Sequence, residues 1–467
     1  MKLRNHFHTG NSSTHGSPII LYILLFAVSV SPLFLGSNRP LPWSMLSFAS
    51  GLLLLSWSIQ VSSGKFSFSP QFEYIRFPFW LFISVGAWIF FQNSPFTPLS
   101  WQNSAWQDAS FALGNTVTGS ISVNPYESYM GLMKLFTYGT IFFLSFQYST
   151  NTKNAKLILK IVLFSGLAYS AFGLYIYLSG TSTVPWHGND HHSEGLRSTF
   201  ANRNHFATYS GMIALVALAQ FMDITFKVSG QYSYLGEEIV RTLYSILESG
   251  WIYIILFIVS FSSLLLTFSR GGLISTTGAI AILFLLYLFS SKNRKLSIAL
   301  SFITLCICYF GIMSISGETT SNRMRNSDLE DSRMIVYAST IKGISESPFF
   351  GKGYGTYAES FPKYRDRETG MFFTKAHNVY LETAFELGIP ATALLLSAFG
   401  ALIFTCLRGI MMREHNFMFP VIGLASTALV AIHSLFDFSI QIPANASLYA
   451  LIMGMSASQS LKRKRSL

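Results

Sequence analysis

The chain has 467 residues and a formal net charge of +11, yet only 11% of its residues are charged and 50% are hydrophobic, including 43 Phe. This composition is typical of a protein that crosses a membrane many times, and it excludes a water-soluble globular domain. The positive charge does not indicate nucleic-acid binding, because basic residues in short loops orient membrane proteins and favour anionic headgroups. We therefore expect membrane lipids, and no nucleic acid, as partners.

Apolar runs near the roughly 20 residues that span a bilayer predict about twelve transmembrane helices. The predicted fold class is an all-α polytopic integral membrane protein. Its membrane domain covers 18–460, between a cytoplasmic N-terminal segment at 1–17 and a basic cytoplasmic tail at 461–467. The predicted spans lie near 18–36, 43–61, 77–93, 128–148, 157–178, 206–222, 250–268, 272–290, 297–315, 388–407, 417–435 and 443–460.

Lys and Arg predict the orientation of these spans. They are concentrated in short segments that share one side with the N-terminus, and in the tail at 462–465. Both termini are therefore expected in the cytoplasm, with one long outside loop at about 315–387. Because an even number of spans separates them, Arg197, Arg270 and His377 are all expected on the same, outer side of the membrane.

Two arginines are candidates for binding an anion. Arg270 lies in the segment 268–272, Phe-Ser-Arg-Gly-Gly, a tight break between two apolar runs. An arginine at the membrane boundary is costly unless it snorkels or meets an anion, and the glycines let a ligand approach the backbone. Arg197 opens a polar cluster that includes Asn204. The alternatives are a snorkelling Arg270 in an ordinary hairpin and a solvated loop charge at Arg197.

His377 and Asn378 directly precede a short helical pattern in which Glu382 and Glu386 share one face. A histidine with an ordinary pKa of about 6.5 is suited to removing a proton from an acceptor hydroxyl. The alternative is a structural histidine that caps this helix. The sequence thus predicts a titratable cluster at a membrane surface.

Arg333 and the glycine-rich segment 348–355 precede His377 in the same long loop. The glycine-rich segment lacks the spacing and the Lys-Ser/Thr ending of a phosphate-binding loop, which favours a turn beside the site. Four residues in an outside loop could form a metal cluster: His187, Asp190, His191 and His192. A polar loop is the better interpretation of these four, and we predict neither a metal nor a cofactor.

Several motifs together resemble the O-antigen ligase and polymerase superfamily. In chain order they lie at 200–207, 269–271, 348–355, 377–378 and 386–388. The resemblance covers about 195–405 by motif and the whole chain by its pattern of spans. Each motif is weak alone, whereas their order and their common side of the membrane make the combination more specific.

The resemblance implies a metal-independent membrane glycosyltransferase of the C-type fold class in the bacterial inner membrane. Such enzymes move a glycan from an undecaprenyl diphosphate carrier to a glycan or lipid-linked sugar acceptor at the periplasmic face. By matching position, Arg197 and Arg270 would bind the diphosphate and His377 would be catalytic. The supporting residues would be Asn378, Arg333, Glu382, Glu386 and Asn204.

Attack opposite the diphosphate would invert the anomeric centre. Ala391 stands where the ligase pattern usually has Gly, Thr or Tyr, so ligase and polymerase both remain open. A lipid-linked glycan transporter and a non-catalytic assembly subunit are the alternatives to an enzyme. Transporters often have repeated halves with broken helices at the midplane, whereas this chain concentrates its polar groups at one face, which favours an enzyme.

Overall fold

The computed structural model describes residues 17–180, 195–228, 234–290, 328–365, 373–412 and 417–461, with a few isolated positions between 299 and 306. Regular structure in these ranges is helical, apart from an isolated bridge between Leu35 and Phe200. The described α-helices, numbered in order, are α1 (Pro18–Val30), α2 (Pro40–Ser62), α3 (Arg76–Gln92), α4 (Ser104–Leu113), α5 (Pro125–Tyr148), α6 (Thr152–Leu178), α7 (Arg203–Val228), α8 (Leu235–Ser245), α9 (Trp251–Leu266), α10 (Arg270–Ser290), α11 (Asp328–Glu346), α12 (Tyr357–Ser360), α13 (Val379–Leu387), α14 (Ile389–Met412), α15 (Met418–His433) and α16 (Pro443–Ser460).

Within the described residues, seven helical segments are long and apolar enough to cross a membrane, and two shorter ones, α1 and α15, are also apolar. This supports a polytopic membrane protein. The count of about twelve spans stays a prediction, and the predicted span near 297–315 lies largely outside the described residues. One long segment, Gly236–Leu266, joins the amphipathic α8 to α9 through a π-helical turn, a feature that the apolar runs do not predict.

Helix α16 lies at the centre of the bundle, and every one of its residues is buried. It is rich in Ala and Ser and contains Gly454, and such small residues let neighbouring helices approach closely. A Cβ at Gly454 would lie 2.3 Å from the carbonyl oxygen of Phe142 in α5, and one at Gly423 in α15 would lie 2.5 Å from Ser456 Cβ. The polarity of α16 therefore reflects an internal position between α5 and α15.

The long loop of the sequence prediction contains the short helices α11, α12 and α13. Its glycine-rich segment packs on the end of α3, where Gln92 Nε2 donates to the carbonyl of Phe350 at 2.7 Å. The N–H of Val123 donates to the carbonyl of Lys352 at 3.1 Å, which ties in the connection before α5. These contacts hold the segment that carries His377 against the helix bundle.

Candidate active site

Asp437 lies in the turn between α15 and α16 and is almost completely buried. Its carboxylate accepts hydrogen bonds from Ser439 Oγ at 2.5 Å and from Asn204 Nδ2 in the first turn of α7 at 2.9 Å. Burial would raise the pKa of Asp437, but the contact with His377 and the charge of His205 outweigh burial and hold that pKa well below its usual range. The turn therefore presents a buried negative charge.

The imidazole of His377 faces this charge. Its Nδ1 is buried and lies 3.6 Å from Oδ2 of Asp437, while 23% of the side chain is exposed. The distance is slightly longer than a hydrogen bond. The Phe438 ring packs edge-on against the imidazole, with centroids 5.1 Å apart. Because Asp437 attracts Nδ1, Nε2 is the nitrogen that can face a substrate.

The backbone of His377 adopts a left-handed conformation with φ +53°, which is uncommon for a residue with a Cβ. Tyr337 Oη donates to its carbonyl at 3.2 Å. Asn378 caps α13, its Oδ1 accepting from the N–H of Leu381 at 3.1 Å, and the next N–H, that of Val379, donates to the carbonyl of Ser434 at 2.9 Å. The alternative in which His377 caps this helix is therefore wrong, because Asn378 does so and leaves the imidazole available.

A second histidine lies on the other side of Asp437. His205 Nε2 is 3.9 Å from Oδ1 of Asp437, and the Phe438 ring also packs edge-on to His205, at 4.9 Å. Its backbone carbonyl accepts a hydrogen bond from Asn445 Nδ2 at 2.9 Å. Since the side chain of His205 is buried, we interpret it as a neighbour that tunes the carboxylate.

Arg270 is the first residue of α10 and is partly buried. Ser269 Oγ caps the helix by accepting from the N–H of Gly272 at 3.1 Å, after a left-handed residue, Phe268, with φ +53°. A Cβ at Gly271 would lie 3.0 Å from the imidazole of His433, so this glycine lets α10 reach the end of α15. Arg270 thus combines its own charge with the positive end of a helix dipole.

Arg197 lies beside the same break. The N–H of the preceding residue, Leu196, donates to the carbonyl of Leu266 at 2.8 Å, and a Cβ at Gly195 would lie 2.5 Å from the carbonyl oxygen of Thr267. Ser198, with φ +50°, anchors the other flank through its Oγ, which donates to the carbonyl of Tyr169 at 2.8 Å. The fold therefore brings the two backbone segments that carry Arg197 and Arg270 side by side.

Arg333 in α11 is partly buried, and its charge acts on both His433 and Tyr337. His433 Nδ1 is 2.6 Å from Thr208 Oγ1, which ties the end of α15 to α7. The supporting position predicted for Arg333 therefore lies next to the turn that contains Asp437. This places a third positive charge near the segments of Arg270 and His377.

Glu382 is fully buried and accepts three hydrogen bonds. Lys375 Nζ donates to its Oε1 at 2.8 Å, Gln441 Nε2 donates to the same oxygen at 2.9 Å, and the N–H of Ala376 donates to Oε2 at 2.9 Å. The carboxylate therefore connects the residues immediately before His377 with the turn that follows Asp437. Glu382 therefore supports the loop of His377 from the interior of the protein.

Glu386 is also buried, and its Oε1 accepts from the N–H of Tyr357 at 3.0 Å. Burial, reinforced by the nearby Glu382, raises the pKa of Glu386 to about 8. The glycine-rich segment closes over its backbone, where the N–H of Gly353 donates to the Glu386 carbonyl at 3.0 Å and a Cβ at Gly351 would lie 2.1 Å from that oxygen. The segment is a turn that caps the end of α13, as its sequence favours.

The sequence did not assign Asp437, His205, His433 and Lys375 to the site, although His205 lies in the motif at 200–207 and the segment 433–438 also resembles polymerase members. One signal was present, because Asp437 and His433 are titratable residues in an otherwise apolar stretch between two predicted spans. Their pairing with residues more than fifty positions away could not be read from local patterns. The segment 433–438 is nevertheless the point at which α7, α10, α13 and α15 converge.

The candidate metal cluster at 187–192 lies outside the described residues. Within the described residues, no group of three or more His, Cys, Asp or Glu side chains is arranged to hold a metal ion. Cationic side chains and a helix N-terminus are instead the groups available there to an anionic ligand.

Comparison with protein families gives one match. Residues 255–396 match the family model described as O-antigen ligase, which confirms the resemblance to that superfamily for this segment. The matched segment contains Arg270, Arg333 and the loop of His377, whereas Arg197 and Asn204 precede it and Asp437 follows it. Among curated proteins, no match was found.

Proposed function

We propose that this protein is a metal-independent membrane glycosyltransferase of the O-antigen ligase and polymerase type. It would move an oligosaccharide or polysaccharide from an undecaprenyl diphosphate carrier to a sugar hydroxyl, on a glycan or a lipid-linked acceptor. The observation that carries the proposal is the His377–Asp437 pair, which lies in one cluster with the segments of Arg197 and Arg270. The family match over 255–396 supports the same class.

Proton transfer is the role proposed for His377. As the acceptor oxygen attacks the anomeric carbon, Nε2 removes its proton and the imidazole becomes positively charged. Asp437, facing Nδ1, orients the ring and stabilises the imidazolium without itself taking the proton. The new carbon–oxygen bond forms as the bond from the anomeric carbon to the diphosphate oxygen breaks, and attack from the opposite face inverts the centre.

The leaving diphosphate carries the charge that develops as this bond breaks. Arg197 and Arg270 would hold it with paired N–H donors, and the N-terminus of α10 would add to the positive potential. Groups that are already in position stabilise developing charge without reorganisation during the reaction. They would provide the charge stabilisation that a divalent metal provides in many soluble transferases.

The site would face the periplasm of the bacterial inner membrane, with both termini in the cytoplasm. The distribution of Lys and Arg supports this orientation. Reporter tags after Lys295 and at the C-terminus should therefore be cytoplasmic, and a tag at residue 340 periplasmic. A cytoplasmic tag at 340 would reverse the sidedness of the site.

Purified protein in nanodiscs, given a carrier-linked glycan and a candidate acceptor in the presence of chelator, tests the proposal. Wild type should form a new glycosidic bond, and His377→Ala should lower turnover by about two to four orders of magnitude. Binding of the donor should survive the substitution, because the arginines hold its diphosphate. Equal product from both proteins would exclude His377 as the base, and flux across vesicles without a new bond would indicate a transporter.

A further inference from the structure

Helix α5 presents one polar face toward the loop that carries His377. Gly131, Lys134 and Tyr138 share this face by their helical spacing. A Cβ at Gly131 would lie 2.9 Å from the ring of Tyr354, which belongs to the glycine-rich segment. The charge of Lys134 interacts with that of Lys375, two residues before His377. Lys134 therefore points into the same side of the molecule as the candidate active site.

Lys134 is held by an aromatic ring. Its Nζ lies 4.8 Å from the ring centroid of Trp43, at the start of α2. Trp43 is buried and Lys134 is partly exposed, so a buried ring fixes the position of the ammonium group. Within the described ranges no carboxylate forms an ion pair with Lys134, although Glu127, two turns nearer the start of α5, exerts a weaker attraction.

The two buried carboxylates of α13, Glu382 and Glu386, have partners other than Lys134. Lys375 already forms an ion pair with Glu382 at 2.8 Å. Glu386 is buried, and its Oε1 accepts from the N–H of Tyr357 at 3.0 Å. A partly buried cation that forms no ion pair with the described residues is a candidate for binding an anionic ligand.

This cation is separate from the arginine pair. Lys134 belongs to α5, whereas Arg270 and the Arg197 segment pack among α7, α9 and α10. The buried helix α16 lies between, in contact with α5 on one side and with α7 on the other. The loop of His377 reaches both regions, through Lys375 toward α5 and through Asp437 toward α7.

We propose that Lys134, supported by Trp43, binds the phosphate of a second, lipid-borne substrate, the acceptor, across His377 from the site of the donor diphosphate. The proposal rests on the proposed transferase function. A transferase that joins two carrier-linked glycans must hold two lipid phosphates, because the donor's is released and the acceptor's remains attached. A second cation near the base would hold the acceptor sugar so that its hydroxyl approaches His377.

Binding stoichiometry tests the site without requiring activity. A short-chain prenyl diphosphate is added to protein in nanodiscs, and bound molecules are counted by native mass spectrometry, with the prenyl alcohol as the uncharged control. Wild type should bind two, Lys134→Gln and Arg270→Ala one each, and the double variant none. Lys342→Gln, which removes an exposed lysine from α11, should behave as wild type. Lys134→Met gives the same comparison if Lys134→Gln does not fold.

If wild type binds only one molecule, and only Arg270→Ala loses it, the second site is refuted and the proposed function stands. Two molecules bound by Lys134→Gln would refute the second site equally. Conversely, two-site binding without any transfer by wild type would refute the transferase and keep the phosphate site.

Kinetics then identify which substrate the site holds. Lys134→Gln should raise the KM for a phosphate-bearing acceptor about tenfold or more, as expected for loss of a charge-assisted hydrogen bond. The KM for the donor, and for the same acceptor glycan without phosphate, should not change, and Lys134→Arg should restore most of the affinity. A raised KM for the donor instead would assign Lys134 to the leaving diphosphate and overturn the proposal.

Discussion

Two neighbouring regions of this protein bury carboxylates in different ways. Asp437 is surrounded by side chains, Ser439, Asn204 and the imidazole of His377, and the last of these is titratable and partly exposed. Glu386 instead accepts from a backbone N–H, that of Tyr357, and is enclosed by the glycine-rich turn. A buried carboxylate beside a titratable side chain that reaches solvent can take part in proton transfer. A buried carboxylate that accepts from the backbone instead stabilises the local fold.

The two regions also differ in the pKa of their carboxylate. Contacts with histidines keep the pKa of Asp437 below its usual range, despite burial. Burial and a second carboxylate raise the pKa of Glu386 to about 8. Substitutions at the first region should therefore affect turnover, and substitutions at the second should affect stability.

The largest expected effect is that of Arg270→Ala, which should abolish transfer while leaving protein level and membrane insertion unchanged. Arg270→Lys should restore little, because a point charge lacks the planar fork that binds a diphosphate bidentately. Arg39→Ala removes an exposed arginine at the start of α2 and serves as the control. Full transfer by Arg270→Ala would show that Arg270 does not bind the diphosphate and only snorkels to the membrane surface.

The comparison itself is tested by making the same change, carboxylate to amide, in both regions. Asp437→Asn should lower kcat by about two to four orders of magnitude, since the amide cannot stabilise an imidazolium. The KM for the donor should change little, and the thermal midpoint should fall because the amide offers Ser439, Asn204 and His377 one acceptor oxygen fewer. Glu386→Gln should leave kcat within a few-fold of wild type at neutral pH, because the side chain it replaces is already mostly uncharged. Similar losses in both variants would remove the distinction.

Much of this arrangement could be predicted from sequence. Long apolar runs locate α2, α6 and α10 because lipid requires about 20 apolar residues per helix. Parity of the crossings places Arg270 and His377 on one side, and the structure brings their segments together around the turn at 433–438. Such reasoning works because each step depends on local composition.

Other features depend on tertiary packing and could not be predicted. The pairing of His377 with Asp437 joins residues sixty positions apart, and no periodicity encodes it. The left-handed backbone at His377 lies between two such contacts, because the N–H of Ala376 donates to Glu382 and the carbonyl of His377 accepts from Tyr337. Helix α8 is amphipathic, so a search for apolar runs passes over it.

A smaller effect is expected from Glu382→Gln. The amide keeps the shape of Glu382 but faces three donors, from Lys375, Ala376 and Gln441, with one acceptor oxygen fewer. One buried donor is left unsatisfied, at a cost of about 1–3 kcal/mol. We expect a lower thermal midpoint in detergent and a kcat reduced about tenfold, because the loop of His377 loosens. Unchanged stability would show that Glu382 does not hold this loop.

The smallest effect concerns stability and pH. The folded-state pKa of Glu386 is raised to about 8, whereas an unfolded glutamate titrates near 4.3. Between these values the folded state binds more protons than the unfolded state, so the contribution of this group is fully present below about pH 4.3 and is lost as pH rises through 8. Wild type should therefore have a higher thermal midpoint in detergent at pH 6 than at pH 8.5, and Glu386→Gln should flatten this difference. The same pH dependence in both proteins would show that Glu386 is ionised in the folded state and that the two carboxylate regions do not differ in protonation.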